Sequence, residues 1–325
     1  MRLPHDLTER LTLVAGSPTE LIAALGDAAG VEEVAEIERL SAAGLPPITS
    51  LRALSVMTGY NPGFVWALAH RTTRYYRVFE IPKGRATRQI EAPRVALKLI
   101  QKWLSHHFSA KWKPLDGVHG FVPGRSHLTA ASVHLRADWI LSIDLENFFP
   151  STPSDQIRGS IRKLGYQDGE GLDLLENLLS FRGRLSQGAP TSPVISNIAL
   201  SDIDGVLSGV ATDFGIRFTR YADDITFSGT ADVEFPEDLL AKVREQFVGT
   251  PWRISEKKVH IAKSPTRRKV HGLLVHNDEL RPTKGYRNRL RAYRHLMHLG
   301  RIADDDLGRI TGHLNYASQI KRNKP

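Results

Sequence analysis

Three carboxylates are the residues of this sequence best placed to do chemistry. Asp223 and Asp224 are adjacent, between short runs at 216–219 and 225–227 that are rich in β-branched and aromatic residues and predict the strands of a β-hairpin. Asp144 ends a third apolar run that also predicts a strand. Turn chemistry alone explains a lone Asp-Asp pair, because Asp is common in tight turns. The additional acid at a strand end makes a catalytic site the better explanation.

Carboxylates gathered at strand ends repel one another unless a cation neutralises them. Hard divalent cations such as Mg²⁺ prefer carboxylate oxygens, and a pair of metal ions about 4 Å apart recurs in enzymes of phosphoryl transfer. The pattern therefore predicts a two-metal site for nucleotidyl transfer, built from Asp144, Asp223 and Asp224.

Length and composition limit the class of protein. A chain of 325 residues can bury a sizeable core and is expected to form two or three subdomains. It contains no cysteine, which excludes disulfides and thiolate metal sites and fits a reducing compartment, so we expect a cytoplasmic protein. No apolar run approaches the roughly 20 residues that cross a bilayer, and the N-terminus lacks a signal-peptide pattern, so we expect no membrane partner.

The charge is distributed unevenly along the chain. The formal net charge is +9, yet residues 1–70 carry four arginines against eight acids, whereas residues 281–325 carry eleven lysines and arginines against three aspartates. Basicity concentrated at one end indicates a polyanionic partner such as nucleic acid, and an ordinary solvated basic helix face is the alternative that the charge pattern alone leaves open.

The elements that must position these residues follow from hydrophobic spacing. Residues 1–70 predict helices; a helix-turn-helix at 50–70 is disfavoured, since its second half has almost no basic or amide side chain to read bases. Two strands around a basic, glycine-containing loop at 75–93 predict a mobile hairpin suited to a triphosphate. Residues 94–112 predict a helix, and the loop at 187–193 leads into a helix predicted to continue through Ile203. Residues 239–247 predict another helix, and residues 284–318 predict basic helices.

Several motifs in a fixed order now identify a resemblance. Tyr221-Ala222-Asp223-Asp224, with Asp144 upstream and Gln187–Pro193 between them, resembles a reverse transcriptase, and more narrowly the bacterial retron enzymes, from about Tyr75 to Val275. The resemblance implies an α+β right-hand polymerase fold with fingers, a palm with an antiparallel sheet, and a helical thumb. It divides the chain into an N-terminal helical extension (1–70), fingers and palm as the catalytic core (71–280), and a basic helical thumb (281–325).

The resemblance also implies residues that bind the incoming deoxynucleotide. Lys83 and Arg88 fall where the family contacts the triphosphate, and Gln187 and Gly188 where it lines the nucleotide and template pocket. Phe149 matches the position of a bulky ring under the sugar, where a 2′-hydroxyl would clash. Simple burial in the core is the alternative for one residue of the Phe148-Phe149 pair.

Two further positions complete the predicted catalytic set. The peptide carbonyl of Leu145 offers an additional oxygen ligand to the metal beside Asp144. Lys258 matches a family lysine that protonates the leaving pyrophosphate, which is general acid catalysis by a cation close to the leaving group.

Nucleic-acid contacts are implied at segments that resemble retron motifs. His119-Gly120-Phe121 with Gly124-Arg125-Ser126 matches one of them. Residues 130–134 keep the Ala and His of an Asn-Ala-x-x-His pattern but have Ala130 in place of Asn, and residues 270–272 resemble Val-Thr-Gly with His271 in place of Thr. Basic residues of the thumb would follow a duplex by its phosphates. The predicted nucleic-acid-binding residues are Arg125, His134, His271, Gly272, Arg287, Arg291 and Arg294.

The prediction is thus an RNA-directed DNA polymerase of retron type. It would use two Mg²⁺ ions and dNTPs to make cDNA on its own structured non-coding RNA, with an RNA 2′-hydroxyl as primer, the cDNA product (msDNA) staying joined to the RNA. The family implies an effector protein partner in anti-phage defence. Alternatives are another bacterial reverse transcriptase, of intron, CRISPR-associated or other defence type, and a catalytically idle RNA-binding scaffold. The intact acids oppose the scaffold, and we expect no maturase or endonuclease domain after the thumb.

Overall fold

The computed structural model describes residues 5–84 and 86–322. The α-helices, in chain order, are α1 (His5–Glu9), α2 (Pro18–Leu25), α3 (Val31–Ala42), α4 (Leu51–Thr58), α5 (Pro62–His70), α6 (Val95–Lys111), α7 (His127–Val133), α8 (Ser154–Leu164), α9 (Glu170–Leu179), α10 (Ser192–Ala199), α11 (Ser201–Asp213), α12 (Leu239–Glu245), α13 (Lys284–His298) and α14 (Asp304–Arg322). The β-strands are β1 (Tyr76–Lys83), β2 (Ala86–Pro93), β3 (Trp139–Asp144), β4 (Arg217–Tyr221), β5 (Asp224–Gly229), β6 (His260–Lys263), β7 (Lys269–Val270), β8 (Leu273–His276) and β9 (Glu279–Pro282).

The chain folds into two compact units, each made of two stretches of sequence. The first unit is Met1–Pro114 with Asn147–Ser201, and the second is Leu115–Glu146 with Asp202–Pro325. The predicted division into extension, fingers with palm, and thumb remains a prediction. No single helix in the part of the chain that the structure describes is long and apolar enough to cross a membrane.

The first unit is a helical core that carries one β-hairpin. The short helices of the N-terminal segment begin at side-chain caps: Ser17 accepts a hydrogen bond from the Glu20 N–H, and Ser50 accepts one from the Ala53 N–H. α6 buries Trp103 and Phe108 completely, in one cluster with apolar residues of α2 to α5 and α8 to α10. β1 and β2 pair antiparallel from Tyr76 opposite Pro93 to Lys83 opposite Ala86, which confirms the predicted hairpin.

The second unit is built on an antiparallel sheet with strand order β4-β5-β3-β6. β3 and β5 pair in register from Trp139 opposite Gly229 to Asp144 opposite Asp224. Both central strands are largely buried, and their sequences are accordingly rich in apolar and β-branched residues. The predicted hairpin around the Asp-Asp pair and the predicted strand before Asp144 are confirmed.

A smaller sheet and the last two helices complete the second unit. β7, β8 and β9 form an antiparallel sheet in that order. Leu273, Val275 and Leu280 of this sheet share an apolar cluster with Ile140 of β3 and Ile320 of α14. The terminal helices predicted over 284–318 are confirmed as α13 and α14.

One predicted helix is wrong. The helix expected to run unbroken through Ile203 is interrupted at Leu200, so that α10 and α11 are separate. Asp202 and Asp204 lie in the first turn of α11, where acidic side chains stabilise a helix N-terminus. A new helix start at Ser201 is therefore favoured over continuation.

Candidate active site

The three predicted acids meet at one end of the β3–β5 pair in the second unit. Asp144 is the last residue of β3 and lies opposite Asp224, the first residue of β5. Asp223 precedes Asp224 in the turn, and its carbonyl accepts a hydrogen bond from the Leu145 N–H at 2.9 Å. The backbone of the residue after Asp144 is thus bonded directly to the Asp-Asp turn, which fixes the spacing of the cluster.

The turn itself has an unusual backbone. Tyr221 pairs with Asp224 across the hairpin, which leaves Ala222 and Asp223 as the two turn residues. Ala222 has a φ of +57°, in the left-handed region that non-glycine residues rarely adopt. Gly120 lies against it so closely that a Cβ at position 120 would be 2.2 Å from the Ala222 nitrogen. The glycine is therefore required by the path of the turn.

The acids repel one another electrostatically, and two of them are held by neighbouring basic or ring groups. The pKa of Asp223 is raised, first by burial and then by the negative charges of Asp144 and Asp224. The Lys258 ammonium lies 2.5 Å from Oδ1 of Asp144, and Nδ1 of His271 lies 3.0 Å from Oδ2 of Asp224. The Lys258 ammonium offsets part of the negative charge of the cluster, and the His271 ring contacts one carboxylate oxygen of Asp224.

The donor chemistry of the cluster fits Mg²⁺. It presents carboxylate oxygens, which hard divalent cations prefer, at a point where burial and then like charges raise the pKa of Asp223. Within residues 5–84 and 86–322, however, no three or more His, Cys, Asp or Glu side chains are already arranged to hold a metal ion. Lys258 and His271 occupy oxygens of Asp144 and Asp224. Each contact involves one oxygen, Oδ1 of Asp144 and Oδ2 of Asp224, and each carboxylate has a second oxygen with which it could bind a metal ion.

The predicted nucleotide-binding residues lie in the first unit, where the hairpin base is joined to the 187–188 loop. Lys83 is exposed near the hairpin tip, and Arg88 is partly buried on β2. The Glu91 N–H donates to the Gln187 carbonyl at 3.0 Å, and a Cβ at Gly188 would lie 2.9 Å from the Glu91 carbonyl oxygen. The chain thus brings Gln187 and Gly188 against the strand that carries Arg88.

An ion pair that no sequence pattern predicts strengthens this junction. Arg184 donates from both Nη atoms to the two carboxylate oxygens of Glu91, at 3.0 and 2.7 Å. Glu91 is buried and Arg184 is partly exposed. The partners are 93 residues apart in the sequence, and neither belongs to a motif, so no sequence signal pointed to them.

The two adjacent phenylalanines differ in burial. Phe148 is buried, whereas Phe149 is only partly buried and packs against the core of the first unit. The role of Phe149 at the sugar remains a prediction.

Among the predicted nucleic-acid contacts, the one at His134 is wrong. Its side chain is fully buried, with Nδ1 2.7 Å from the Ser228 hydroxyl and Nε2 2.7 Å from the Thr219 hydroxyl. Burial lowers the pKa of His134 to about 3, so the ring is neutral. It joins α7's C-terminus to strands β4 and β5 and has no surface to offer to RNA.

Two further predicted contacts have roles inside the protein. The His271 side chain is 6% exposed and lies on Asp224, with its ring 5.3 Å from that of Tyr221. Nη1 of Arg125 donates to the carbonyls of Leu115 and Val118 at 2.5 and 2.6 Å, which fixes the loop before α7. The main interactions of the His271 ring and of Arg125 are thus within the protein, and their contacts with nucleic acid remain predictions.

The remaining predicted contacts are exposed. Gly272 has a φ of +84°, and a Cβ added at this position would meet no atom within 4 Å, so a ligand can approach its backbone. Arg287, Arg291 and Arg294 are exposed and lie on one side of α13, next to buried Leu290. They border an open cavity of about 320 Å³ whose floor includes Leu280, Ala317 and Ile320.

Comparisons with known proteins agree with this geometry. A family model described as "Reverse transcriptase (RNA-dependent DNA polymerase)" matches residues 81–275, a range that includes all three acids. The chain is 35% identical over 271 residues to the retron Mx162 reverse transcriptase of Myxococcus xanthus, covering 73% of this chain and 56% of that protein. It is 32% identical over 262 residues to the retron Mx65 reverse transcriptase of the same organism, covering 75% and 61%. It is 30% identical over 273 residues to the retron Ec86 reverse transcriptase of Escherichia coli, covering 82% and 83%. The chain therefore spans less than two thirds of the two Myxococcus relatives and most of the Escherichia relative.

Proposed function

Because this chain belongs to the reverse transcriptase family, and within it to the bacterial retron type, we propose that it is an RNA-directed DNA polymerase that copies a structured non-coding RNA into DNA. The observation that carries the proposal is the convergence of Asp144, Asp223 and Asp224 at the end of one strand pair. Acids in this arrangement, inside the range that matches the family, are the expected centre of nucleotidyl transfer.

The acids would act by holding divalent cations and aligning the reacting groups. Two Mg²⁺ ions bound by Asp144, Asp223, Asp224 and the Leu145 carbonyl would lower the pKa of the attacking hydroxyl and neutralise charge on the leaving phosphates. Only the ionised carboxylate of Asp223 can bind a metal ion in this way. Because the pKa of Asp223 is raised, metal binding should be lost readily as the pH falls. Lys258, about half exposed, would supply the proton that the departing pyrophosphate takes up.

The residues of the first unit would select and hold the nucleotide. Lys83 and Arg88 on the β1–β2 hairpin would bind the triphosphate through charge-assisted hydrogen bonds. Gln187 and Gly188 would line the pocket, and the Phe149 ring would exclude a ribose 2′-hydroxyl. The Glu91–Arg184 pair supports this assignment, because it holds the hairpin base and the 187–188 loop together.

We further propose the biological setting. The RNA would be the primer as well as the template, starting synthesis from a 2′-hydroxyl and giving a cDNA (msDNA) joined to its RNA. The exposed arginines of α13 would bind the phosphates of the RNA. The affinity that they contribute should fall as the salt concentration rises. An effector protein, a role in anti-phage defence and a cytoplasmic location complete the proposal.

The test is to express the chain with its genomic neighbourhood and to analyse the nucleic acid that co-purifies with it. The proposal expects a branched RNA–DNA species in the wild type and none with Asp223→Asn produced in the same way. Extension of an ordinary 3′ primer with no branched product would instead favour a reverse transcriptase of another type. RNA without DNA in both preparations would favour a non-catalytic scaffold.

A further inference from the structure

An ion pair lies buried behind the Asp-Asp turn. Arg220, in β4, is 1% exposed, and Asp204, in α11, is 2% exposed. The Arg220 guanidinium donates from Nε to Oδ1 of Asp204 and from Nη2 to Oδ2, both at 2.6 Å. Each carboxylate oxygen thus accepts a hydrogen bond from the same guanidinium, in the two-pronged geometry that only arginine provides.

The same guanidinium also reaches the turn. Its Nη1 donates to the carbonyl of Ala222 at 3.0 Å, and Ala222 is the residue whose left-handed backbone sets the direction of Asp223. The backbone of Arg220 is bonded as well: its N–H donates to the Gly117 carbonyl at 2.8 Å, and its carbonyl accepts from the His119 N–H at 2.8 Å. Arg220 therefore links a helix, a neighbouring segment and the catalytic turn.

Stability alone does not account for such a pair. The desolvation free energy of two buried charges can cancel their Coulombic attraction. Buried ion pairs can therefore often be replaced by apolar residues without loss of stability. The contact to Ala222 is different, because no apolar side chain can donate to a carbonyl. The geometry therefore assigns to the pair a function in the placement of the turn.

We propose that Asp204 and Arg220 are positioning residues for the catalytic acids. Asp204 fixes the guanidinium, the guanidinium fixes the Ala222 carbonyl, and the carbonyl fixes the orientation in which Asp223 and Asp224 present their carboxylates. Asp204 is not a further catalytic acid, since both of its oxygens face Arg220. The inference rests on the proposed polymerase function and adds a determinant of its chemical step.

The test compares four variants of the full chain in primer extension on an RNA template. Arg220→Lys keeps the charge and loses the two-pronged geometry; Asp204→Asn keeps the shape and loses the charge. The double variant Asp204→Leu with Arg220→Met replaces the pair by apolar side chains. Arg217→Lys is the matched control, because Arg217 lies in the same strand and also donates to carbonyls, those of Val133 and Leu135, away from the turn. Melting temperature, kcat, and KM for the dNTP are measured for each.

The proposal expects a fall of about 10²-fold in kcat for Arg220→Lys and Asp204→Asn, since a displacement of about 1 Å at reacting groups has that effect. The KM for the dNTP should change less than about three-fold, because the loss lies in the chemical step. Arg217→Lys should keep the wild-type kcat. The double variant should melt near the wild-type temperature and still be about as slow as Arg220→Lys.

A double variant that recovers both stability and kcat would overturn the inference, since the pair would then be structural only. If the double variant does not fold, the comparison of Arg220→Lys with Arg217→Lys decides: equal kcat values contradict the inference. The two proposals fail in distinguishable ways. An inactive wild type contradicts the polymerase function, whereas an active wild type matched by Arg220→Lys contradicts only the positioning role.

Discussion

Acidification should destabilise this protein through one buried histidine. His134 is completely buried and uses both ring nitrogens in hydrogen bonds to Ser228 and Thr219. Burial lowers its pKa to about 3 from the ordinary value of 6.5. The unfolded chain therefore takes up a proton as the pH falls below about 6.5, while the folded chain does not until the pH approaches about 3.

The magnitude follows from the two pKa values. Each unit of difference corresponds to about 1.4 kcal/mol, so the folded state loses about 5 kcal/mol in total once the pH reaches about 3. Between pH 7 and pH 5 the loss is about 2 kcal/mol, because pH 5 lies only part of the way from the unfolded pKa of 6.5 to the folded pKa of about 3. Above the unfolded pKa the group has no effect on the pH dependence. The contribution of His134 to the free energy of unfolding is therefore fully present at neutral pH and is lost progressively as the pH falls.

The assay is urea unfolding of the wild type and of His134→Gln at several pH values between 7 and 5. The variant should be less stable at pH 7 by about 1–3 kcal/mol, since one buried hydroxyl loses its partner. Its free energy of unfolding should then fall about 2 kcal/mol less than that of the wild type on going to pH 5. His119, whose pKa burial lowers to about 4, contributes to both proteins and cancels in the comparison. Equal pH dependence in the two proteins would refute the reasoning.

Three further predictions concern catalysis. Gly120→Ala should lower DNA synthesis by about 10²-fold, because its Cβ would lie 2.2 Å from the Ala222 nitrogen, whereas Gly209→Ala, with nothing within 4 Å, should remain active in the same primer-extension assay. Arg184→Lys should raise the KM for dNTPs by about ten-fold or more, since a hydrogen bond to a charged group contributes about 1.5–3 kcal/mol and about 1.4 kcal/mol corresponds to ten-fold; an unchanged steady-state KM would contradict this. Phe149→Val should incorporate ribonucleotides that the wild type rejects, and the loss of one steric contact should raise rNTP incorporation in a gel assay by about ten-fold or more. Continued rejection of rNTPs would show that another side chain selects the sugar.

The clustering of the three acids could be predicted because its determinants are local in the sequence. β-branched runs flank Asp223 and Asp224, an apolar run precedes Asp144, and antiparallel pairing then brings strand ends together. The hairpin at 76–93 followed from the same kind of pattern. In each case the alternation of side chains and the turn residues were sufficient to predict the strands and the hairpin.

The supporting contacts could not be predicted, because they depend on packing between distant segments. Arg220 looks like an ordinary polar residue of a strand, and nothing in the sequence pairs it with Asp204 on a helix. Glu91 and Arg184 are equally separate. His134 was expected at the nucleic acid, yet the register of β4 and β5 places two hydroxyls around its ring and buries it. Which polar residue becomes buried is decided by tertiary structure and not by local pattern.

The most direct measurement is incorporation of a labelled dNTP on an RNA template with Mg²⁺ by the wild type, Asp144→Asn and Asp223→Asn, each checked for folding by its melting temperature. The account predicts synthesis by the wild type and a loss of at least about 10²-fold in each variant, with the fold retained, because each amide removes a carboxylate from the cluster. Synthesis at the wild-type rate by either variant would contradict it.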